Sequence, residues 1–394
     1  MSGSTNSELG LRIATFRSAR RLTQQELADL TSVSLSMIRK IEQGRRTPGD
    51  DILHAIAEAL QVTAEHLLDS SGHGDSRVHL ALPAVRAAIA TYDLPEDGPV
   101  RSLAELSTDV RTAVERRVNA QYVRLAETMP DLLRELARAV DVHRGAERQR
   151  AARLLAAAYR SADAVAFKHG YRDLSARLVE LMRWAARIAE SPELDAATAY
   201  VRTETYFAGG ALSTGLRALQ TAIDAAPPAT APRLRAAIGA LHMRASVVAG
   251  RMRDTDTARL HLTEAVRLTS GIREGVYCGT AVGPDSLQIH RLAVAVELNE
   301  TTDLRDAVAV GNTWSPPHDL PSERRSHYYI DLGRAQMQLG QPKHALKSLL
   351  VARSIAPQHV REHGQVRTEL GTMVRLDRGR DQQLLSFAQW VRAV

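Results

Sequence analysis

The sequence predicts an all-α protein with two domains. Apolar residues recur at spacings of three and four along nearly the whole chain, and few β-branched runs alternate with polar residues, which is typical of helices and leaves no convincing strand. A chain of 394 residues also exceeds what one compact core serves. The Ser/Gly-rich stretch DSSGHGDS, residues 69–76, interrupts the periodicity and indicates a linker. We therefore expect a front domain over 1–70, a linker and connecting segment over 71–100, and a long helical domain over 101–394.

Composition narrows the classes of function. Cys278 is the only cysteine, so no intramolecular disulfide can form, and a reducing, cytoplasmic location is expected. The first residues lack the pattern of a signal peptide, and no apolar run approaches the ~20 residues that span a bilayer, so no membrane association is expected. The net charge of +6 favours polyanionic partners. Residues 1–70 nevertheless hold eight basic and nine acidic residues, so the local placement of charge, and not the net charge, must indicate where a polyanion would bind.

The front domain contains start and stop signals for four short helices. Thr23 and Glu26 have the spacing of a capping box, which opens one helix. Ser34 suits the N-cap of the next helix, and Gly44 suits the left-handed position that follows its end. Each of these signals places a helix boundary at a defined residue.

The second of these short helices is expected to expose charged side chains. Its apolar residues share one face, which leaves Arg39 and Lys40 outside, and the loop that follows carries Arg45 and Arg46. A helix of this size fits the major groove of DNA, where residues near its start meet base edges. Cations at its end and in the loop then meet phosphates. A structural bundle with solvated basic residues is the alternative, but the agreement of capping, charge and loop signals favours DNA binding.

The segment LTQQELADLTSVSLSMIRKIEQGRRTPGDDILHAIAEALQVTAEHLL, residues 22–68, resembles the lambda-repressor-type helix-turn-helix domain of the xenobiotic-response-element family of regulators. The resemblance implies a sequence-specific transcriptional regulator that binds a double-stranded DNA operator. It implies a phosphate contact for Gln24, base contacts for Leu35, Ser36, Arg39 and Lys40, and backbone contacts for Gln43, Arg45 and Arg46. Ser32 and Gln61 stand where the family commonly has glycine, and a left-handed residue other than glycine costs about 1 kcal/mol.

The rear domain contains one clear repeat and several degenerate ones. Small residues recur at Gly333, Gly340, Ala345 and Ala352 before Pro357, and this unit resembles a tetratricopeptide repeat. Small residues allow two antiparallel helices to approach closely, and stacked hairpins then bury one continuous core. Further hairpins are predicted near 103–142, 146–190, 192–226, 231–270, 284–312 and 322–357, with a helical region from there to residue 394.

Most of the chain resembles actinobacterial helix-turn-helix regulators that carry a tetratricopeptide-like domain. The resemblance rests on the segments YVRTETYF, ALHMRA, GPDSLQIH, ERRSHYYID and IAPQH, in that order. It implies transcriptional regulation. We expect the rear domain to sense a signal and to support a homodimer, since one recognition helix contacts few bases. The effector is left open between a small molecule and a short peptide. The alternative function is an interaction scaffold, in which the solenoid binds a protein partner and the front domain localises it on DNA.

Polar side chains recur beside apolar stripes on the predicted rear helices. In a solenoid the first helices of successive hairpins line the concave wall, so these side chains could converge on one ligand. The candidates are Arg202, Glu204, His242, Arg244, His290, Arg291, His327 and Tyr328. The alternative is that they are structural and hydrogen-bonded between repeats.

The sequence predicts no catalytic residue, no cofactor and no metal site, and therefore no enzyme. His359 and His363 are four residues apart, but only Glu362 lies near them as a further ligand. No nucleophile-elbow, Rossmann or kinase motif occurs. The glycine-rich segment 271–286 lacks the strand and Gly-Lys pattern of a phosphate-binding loop, so it is either a functional lid or an irregular connection. Cys278 within this segment is expected to be a small packed thiol.

Overall fold

The computed structural model describes residues 2–20, 22–62, 64–68 and 76–394, for residues 2–8, 19, 65, 66 and 76 without their side chains. The linker predicted at 69–76 falls outside these residues, apart from Ser76. The chain divides into two compact units, Met1–Ala90 and Thr91–Val394. In the described part of the chain the regular structure is helical apart from one two-stranded sheet, which confirms the all-α prediction.

The front unit is a bundle of short helices. Its elements are α1 Ser2–Ala19, α2 Gln24–Thr31, α3 Leu35–Glu42, α4 Asp50–Ala59, α5 Ala64–Leu68 and α6 Ser76–Ala90. Both predicted helix starts are confirmed. The Thr23 hydroxyl accepts a hydrogen bond from the Glu26 amide, the Glu26 carboxylate accepts one from the Thr23 amide, and the Ser34 hydroxyl accepts one from Met37. Gly44 has a φ of 69°, the left-handed conformation expected after α3.

The core of the front unit joins α1 to the helix-turn-helix. Leu9, Ile13 and Phe16 of α1 are buried together with Ile38 and Ile41 of α3. The two helices approach so closely at Gly10 that a Cβ atom there would lie 2.2 Å from the carbonyl oxygen of Ile41. Only glycine fits this contact, because the opposing atoms belong to the backbone of α3.

Within the linker and connecting segment predicted over 71–100, residues 76–90 form α6, which lies in the front unit. Val78, Leu82 and Val85 repeat at helical spacing and are buried. The ring of His79 meets Phe16 of α1 edge to face, with centroids 5.5 Å apart. This apolar face needs a partner, so the helix belongs to the front unit.

The rear unit is a solenoid-like array of antiparallel helical hairpins. Its helices are α7 Leu103–Val118, α8 Tyr122–Val142, α9 Gly145–Lys168, α10 Arg172–Ala189, α11 Pro192–Ala208, α12 Leu212–Asp224, α13 Pro232–Arg251, α14 Thr255–Thr269, α15 Pro284–Leu298, α16 Thr301–Gly311, α17 Ser322–Gln338, α18 Pro342–Ile355, α19 Pro357–Arg361, α20 Gly364–Asp377 and α21 Gln382–Trp390. Six consecutive hairpins, from α7–α8 to α17–α18, match the predicted pairs.

The expectation of no strand is wrong between α14 and α15. Strands β1 Gly275–Tyr277 and β2 Thr280–Val282 pair antiparallel, with Tyr277 opposite Thr280. Cys278 and Gly279 form the turn with φ values of 44° and 79°, the positive values that a tight hairpin turn requires. Three-residue strands lie below the length at which alternation is a useful signal, so the sequence pattern did not reveal them.

Contacts between distant hairpins close the array around its concave side. The Tyr122 amide donates a hydrogen bond of 2.9 Å to the Gln358 side chain of α19, and the Ser322 amide donates one of 3.2 Å to Asn119. The Lys168 ammonium lies 3.0 Å from the Glu323 carboxylate. These contacts tie the first two hairpins to α17 and α19, so the inner surface is enclosed.

We predict that Gly10→Ala loosens the packing of α1 on α3. The added methyl group overlaps backbone atoms that cannot rotate away, so the front unit should lose more than about 3 kcal/mol of stability. Amide hydrogen exchange of the full chain checks this, with faster exchange expected in peptides from α1 and α3 and no change in the rear unit. Gly49→Ala is the control, since nothing lies within 4 Å of its added carbon. Parent-like exchange in Gly10→Ala would show that the close approach is not a constraint.

Candidate functional site: an exposed helix face and an enclosed cavity

Helix α3 presents the residues predicted to contact DNA. Burial of Ile38 and Ile41 fixes its orientation, so that Ser36, Arg39 and Lys40 are exposed. Leu35 at its first turn is half-buried. The other predicted backbone-contacting residues of this region are exposed as well: Gln43, Arg45 and Arg46. The helix and its following loop therefore offer a continuous basic surface.

The acid of α3 points inward. The Glu42 side chain is 5% exposed and accepts hydrogen bonds of 2.7 and 3.2 Å from the Arg17 guanidinium and one of 2.7 Å from the Gln24 amide. Glu42 therefore ties α3 to α1 and α2, and none of the outer basic residues forms an ion pair with another described residue. The side-chain amide predicted to contact a phosphate, that of Gln24, binds Glu42 here. Sequence reasoning missed Arg17, for which spacing gives no signal.

The two departures from the expected glycine pattern keep the expected backbone. Ser32 has φ 54° and ψ 29°, and Gln61 has a φ of 52°, so both residues adopt the left-handed conformation. The turn between α2 and α3 thus retains its form, at a cost of about 1 kcal/mol per residue.

The rear unit encloses a cavity of about 500 Å³. Its walls come mainly from α9, α11, α13, α15 and α17, the first helices of successive hairpins, which confirms that prediction. Helix α7 and the β1–β2 hairpin complete the wall. The charged and polar lining residues include Arg117, Arg160, Asp163, Lys168, Tyr200, Glu204, Arg244, His290, Glu323, Arg324 and His327.

Half of the predicted ligand residues line this cavity. They are Glu204, Arg244, His290 and His327. The other four do not line it: Arg202, His242, Arg291 and Tyr328. Successive helix residues differ by about 100° in direction, so Arg202 and Arg291 point away from the face that carries their neighbours. Arg202 lies 3.9 Å from Glu180, and Arg291 is exposed and donates to Gln288.

His242 and Tyr328, which do not line the cavity, are packed between helices. The Nδ1 atoms of His242 and His261 lie 2.9 Å apart, and burial, assisted by His261, lowers the pKa of His242 to about 4. Tyr328 is buried with its ring 5.2 Å from that of Trp314. Burial raises the pKa of Tyr328 to about 12. Both side chains are therefore packed against other side chains of the protein and are not available to a ligand in the cavity.

Two buried arginines hold the β-hairpin against the cavity. Arg117 donates a 2.6 Å hydrogen bond to the Gly279 carbonyl, and Arg160 donates to the Cys278 carbonyl and, at 2.7 Å, to the Thr280 hydroxyl. Burial lowers the pKa of Arg160 to about 10. In this structure the segment considered as a lid is bound to the wall. Burial also raises the pKa of the free Cys278 thiol, which agrees with a packed, unreactive side chain.

An excess of positive charge surrounds Tyr200. The Arg244 guanidinium lies 4.0 Å above its ring, and the Glu204 carboxylate is 3.8 Å from Arg244, beyond hydrogen-bond distance. Among the described residues, Arg324 has neither a hydrogen bond nor an ion pair. Burial by itself raises the pKa of Tyr200, but Arg244, Arg324 and Arg160 outweigh this effect, so its pKa is lowered. This part of the cavity favours a negative charge.

The other cations of the cavity, apart from Arg117 and Arg160, have acidic partners. Arg334 lies 3.0 Å from Asp331 and 3.2 Å from Glu297, while Lys168 is paired with Glu323. Sequence reasoning missed Arg324, although it lies three residues before His327 on the same helix face. For Arg117 and Arg160 the sequence contains no comparable signal.

Comparison with known proteins identifies the type of domain that the front unit forms. A family model described as a helix-turn-helix domain matches residues 8–69. The transcriptional regulator ClgR of Mycobacterium tuberculosis is 38% identical over 88 residues, which are 21% of this chain and 79% of ClgR. The chain belongs to the helix-turn-helix transcriptional regulators. The uncharacterised HTH-type transcriptional regulator RghRB of Bacillus subtilis is 37% identical over 68 residues, 17% of this chain and 49% of RghRB.

A solved structure overlaps most of the chain at low similarity. It is the crystal structure of Bacillus thuringiensis PlcR in complex with the peptide PapR7 and DNA, which is 13% identical and covers 91% of this chain and 99% of PlcR. The TM-score of 0.29 is too low to establish a common arrangement. No helix in the described ranges is long and apolar enough to cross a membrane.

We predict that Glu42→Gln weakens DNA binding. Loss of a negative charge beside DNA would by itself strengthen binding, but this change also breaks the charge-assisted bonds to Arg17 and Gln24 and leaves the Arg17 cation without its partner. Titration of a fluorescent duplex with each protein measures the net change in DNA affinity. Asp29→Asn is the control, because Asp29 is an exposed acid of α2. Tighter binding by Glu42→Gln than by the parent would mean that Glu42 does not position α3.

Proposed function

We propose that this regulator binds its DNA operator as a homodimer through α3 and responds to a small effector in the rear cavity. The observation that carries the DNA-binding part is the exposed basic face of α3 with its single acid turned inward. Ser36, Arg39 and Lys40 would contact base edges, and the residues after the helix would contact phosphates. One such helix contacts only a few base pairs, so two copies would bind half-sites about 34 Å apart, or a multiple of that distance.

We predict that substitutions in α3 and in its following loop differ in their effect on specificity. Arg39→Ala or Lys40→Ala should weaken binding to the operator by ~1 to 3 kcal/mol with little change on random duplex. Arg45→Ala and Arg46→Ala should weaken both and reduce the salt dependence, because phosphate contacts are independent of sequence. The operator is first selected from a random duplex library with the purified chain.

Equal losses on operator and random duplex for all four variants would contradict these roles. Footprinting and light scattering of the same complex report the spacing of half-sites and the number of chains. A single chain on a single half-site would contradict the dimer.

The effector part of the proposal rests on charges that lack partners. A buried cation is costly unless a counter-charge or hydrogen-bond acceptor satisfies it. The half-buried Arg324 has no such partner in the described part of the chain, and Arg244, although 3.8 Å from Glu204, has a buried Nε without a hydrogen-bond acceptor. An anionic group, a carboxylate or a phosphate, would satisfy both beside Tyr200. We therefore assign the effector to small molecules or short peptides that carry such a group.

The form of the site favours a small effector over a protein partner. A volume of about 500 Å³ falls in the range of ligand pockets, ~300–1,000 Å³. A stable protein partner would instead cover a broad outer surface of ~800 Å² on each side. For regulation, the effector must bind the DNA-competent and DNA-incompetent forms with unequal affinity, since equal affinity shifts no population.

We predict that Arg324→Met removes the response without weakening the fold. A size-filtered metabolite extract from the source organism should change the operator affinity of the parent and leave that of Arg324→Met unchanged. The melting temperature of the ligand-free variant should be equal or higher, because an unpaired cation is removed. Arg291→Met, on the exposed face of α15, is the matched control and should respond like the parent.

Two outcomes would overturn this assignment. A parent-like response of Arg324→Met would place the effector elsewhere, and a loss of several degrees in melting temperature would make Arg324 structural. A response that appears only with unfiltered extract, and disappears after protease treatment, would favour the protein-partner scaffold.

A further inference from the structure

Three histidines from separate segments of the rear unit meet beside the cavity. His327 lies on α17, His359 on α19 and His363 directly before α20. One ring nitrogen from each lies within 4.8 Å of the other two. The ring centroids of His359 and His363 are 5.2 Å apart, and those of His327 and His363 are 5.6 Å apart. The sequence predicted no metal site because its histidine pair lacked a third ligand, and folding brings His327 to that pair.

The cluster contains ring nitrogens that no protein group satisfies. His359 Nε2 and His363 Nδ1 are buried and lack a hydrogen-bond partner. A buried acceptor without a donor is unfavourable, and a bound cation would remove that cost.

Carboxylates stand behind two of the three rings. Glu323 Oε1 lies 3.6 Å and the Lys168 ammonium 3.4 Å from His359 Nδ1, and Asp331 Oδ2 lies 3.4 Å from His327 Nε2. Carboxylates that accept a hydrogen bond from the far nitrogen orient and strengthen histidine ligands of metals, and these two would reach that distance only with a small shift on ion binding.

Two nearby cations are already neutralised. Lys168 is 3.0 Å from Glu323, and Arg334 is 3.0 Å from Asp331. The same carboxylates therefore offset the local positive charge and support the rings.

We propose that His327, His359 and His363 bind a divalent transition metal ion, with Zn²⁺ as the best match. Imidazole nitrogens suit Zn²⁺ and its neighbours in the series. Tetrahedral Zn²⁺ with bonds of about 2.0–2.1 Å needs nitrogens about 3.3 Å apart, so the rings would close slightly around the ion. Three protein ligands leave a fourth position, as in zinc sites that bind a water or a substrate.

The fourth position would face the cavity. His327 and His363 both line it, so an anionic group of the effector could complete the coordination. That last step rests on the proposed effector function, whereas metal binding itself does not. The metal would then make the response depend on both the ion and the anion.

Metal binding is tested on the untagged full-length chain, with Zn²⁺ alone in calorimetry and Co²⁺ alone in absorption spectroscopy. We expect one ion per chain, a rise in melting temperature, and the intense visible bands of tetrahedral Co²⁺. His327→Gln and His363→Gln should each weaken Zn²⁺ binding by at least about tenfold. His344→Gln, an exposed histidine, and His261→Gln, in the separate pair with His242, should bind like the parent.

The absence of Zn²⁺ binding in the parent, or an equal loss in His261→Gln, would overturn the proposal. Far-ultraviolet circular dichroism checks that each variant folds. If a variant does not, the parent's Co²⁺ spectrum decides, because six-coordinate Co²⁺ bound to surface carboxylates absorbs only weakly. A chain that binds Zn²⁺ but ignores the metabolite extract would keep this proposal and reject the effector function, so the two failures are distinct.

Discussion

The cavity of the rear unit depends on the closure of the helical array around its concave side. The ion pair between Lys168 and Glu323 is one of the contacts that make this closure, and it joins the end of α9 to the first turn of α17. An open solenoid would expose its inner face to water, where arginine side chains would be solvated and of little consequence. Closure instead removes Arg117 and Arg160 from water. Burial raises the pKa of Glu323, but Lys168 and Arg117 outweigh this effect and lower it, so the carboxylate stays charged at the seam.

The same distribution of charge recurs in both units. In α3 the acid is turned inward and hydrogen-bonded to Arg17, so the outer cations are free for a polyanion. In the cavity most acids are paired with neighbouring cations, while Arg244 keeps a buried Nε without an acceptor and Arg324 has no acidic partner among the described residues. In both places most of the protein's own acids are paired with other cations. A common physical principle therefore links the DNA-binding face to the proposed anion site.

Sequence periodicity was sufficient for the helices and insufficient for the contacts between them. The hairpins and the caps at Thr23 and Ser34 follow from local signals of one to four residues. The Gly10 contact, the Arg17–Glu42 bond and the meeting of His327 with His363 depend on tertiary packing, which no local pattern encodes. Helical phase explains the mixed result for the ligand residues. A stripe identifies the buried face, but neighbours on its two edges point to different partners, as His242 and Arg244 do.

The central claim is that the rear cavity holds an anionic molecule through Arg244 and through Arg324, which has no acidic partner among the described residues. Native mass spectrometry of the full chain, incubated with the small-molecule fraction of its source organism, tests this directly. The account predicts a bound molecule of low mass on the parent and on Arg291→Met, and its loss from Arg324→Met. Release in organic solvent should yield a carboxylate or phosphate compound in negative-ion mode. An identical bound mass on all three proteins, or no bound molecule on the parent, would contradict the account.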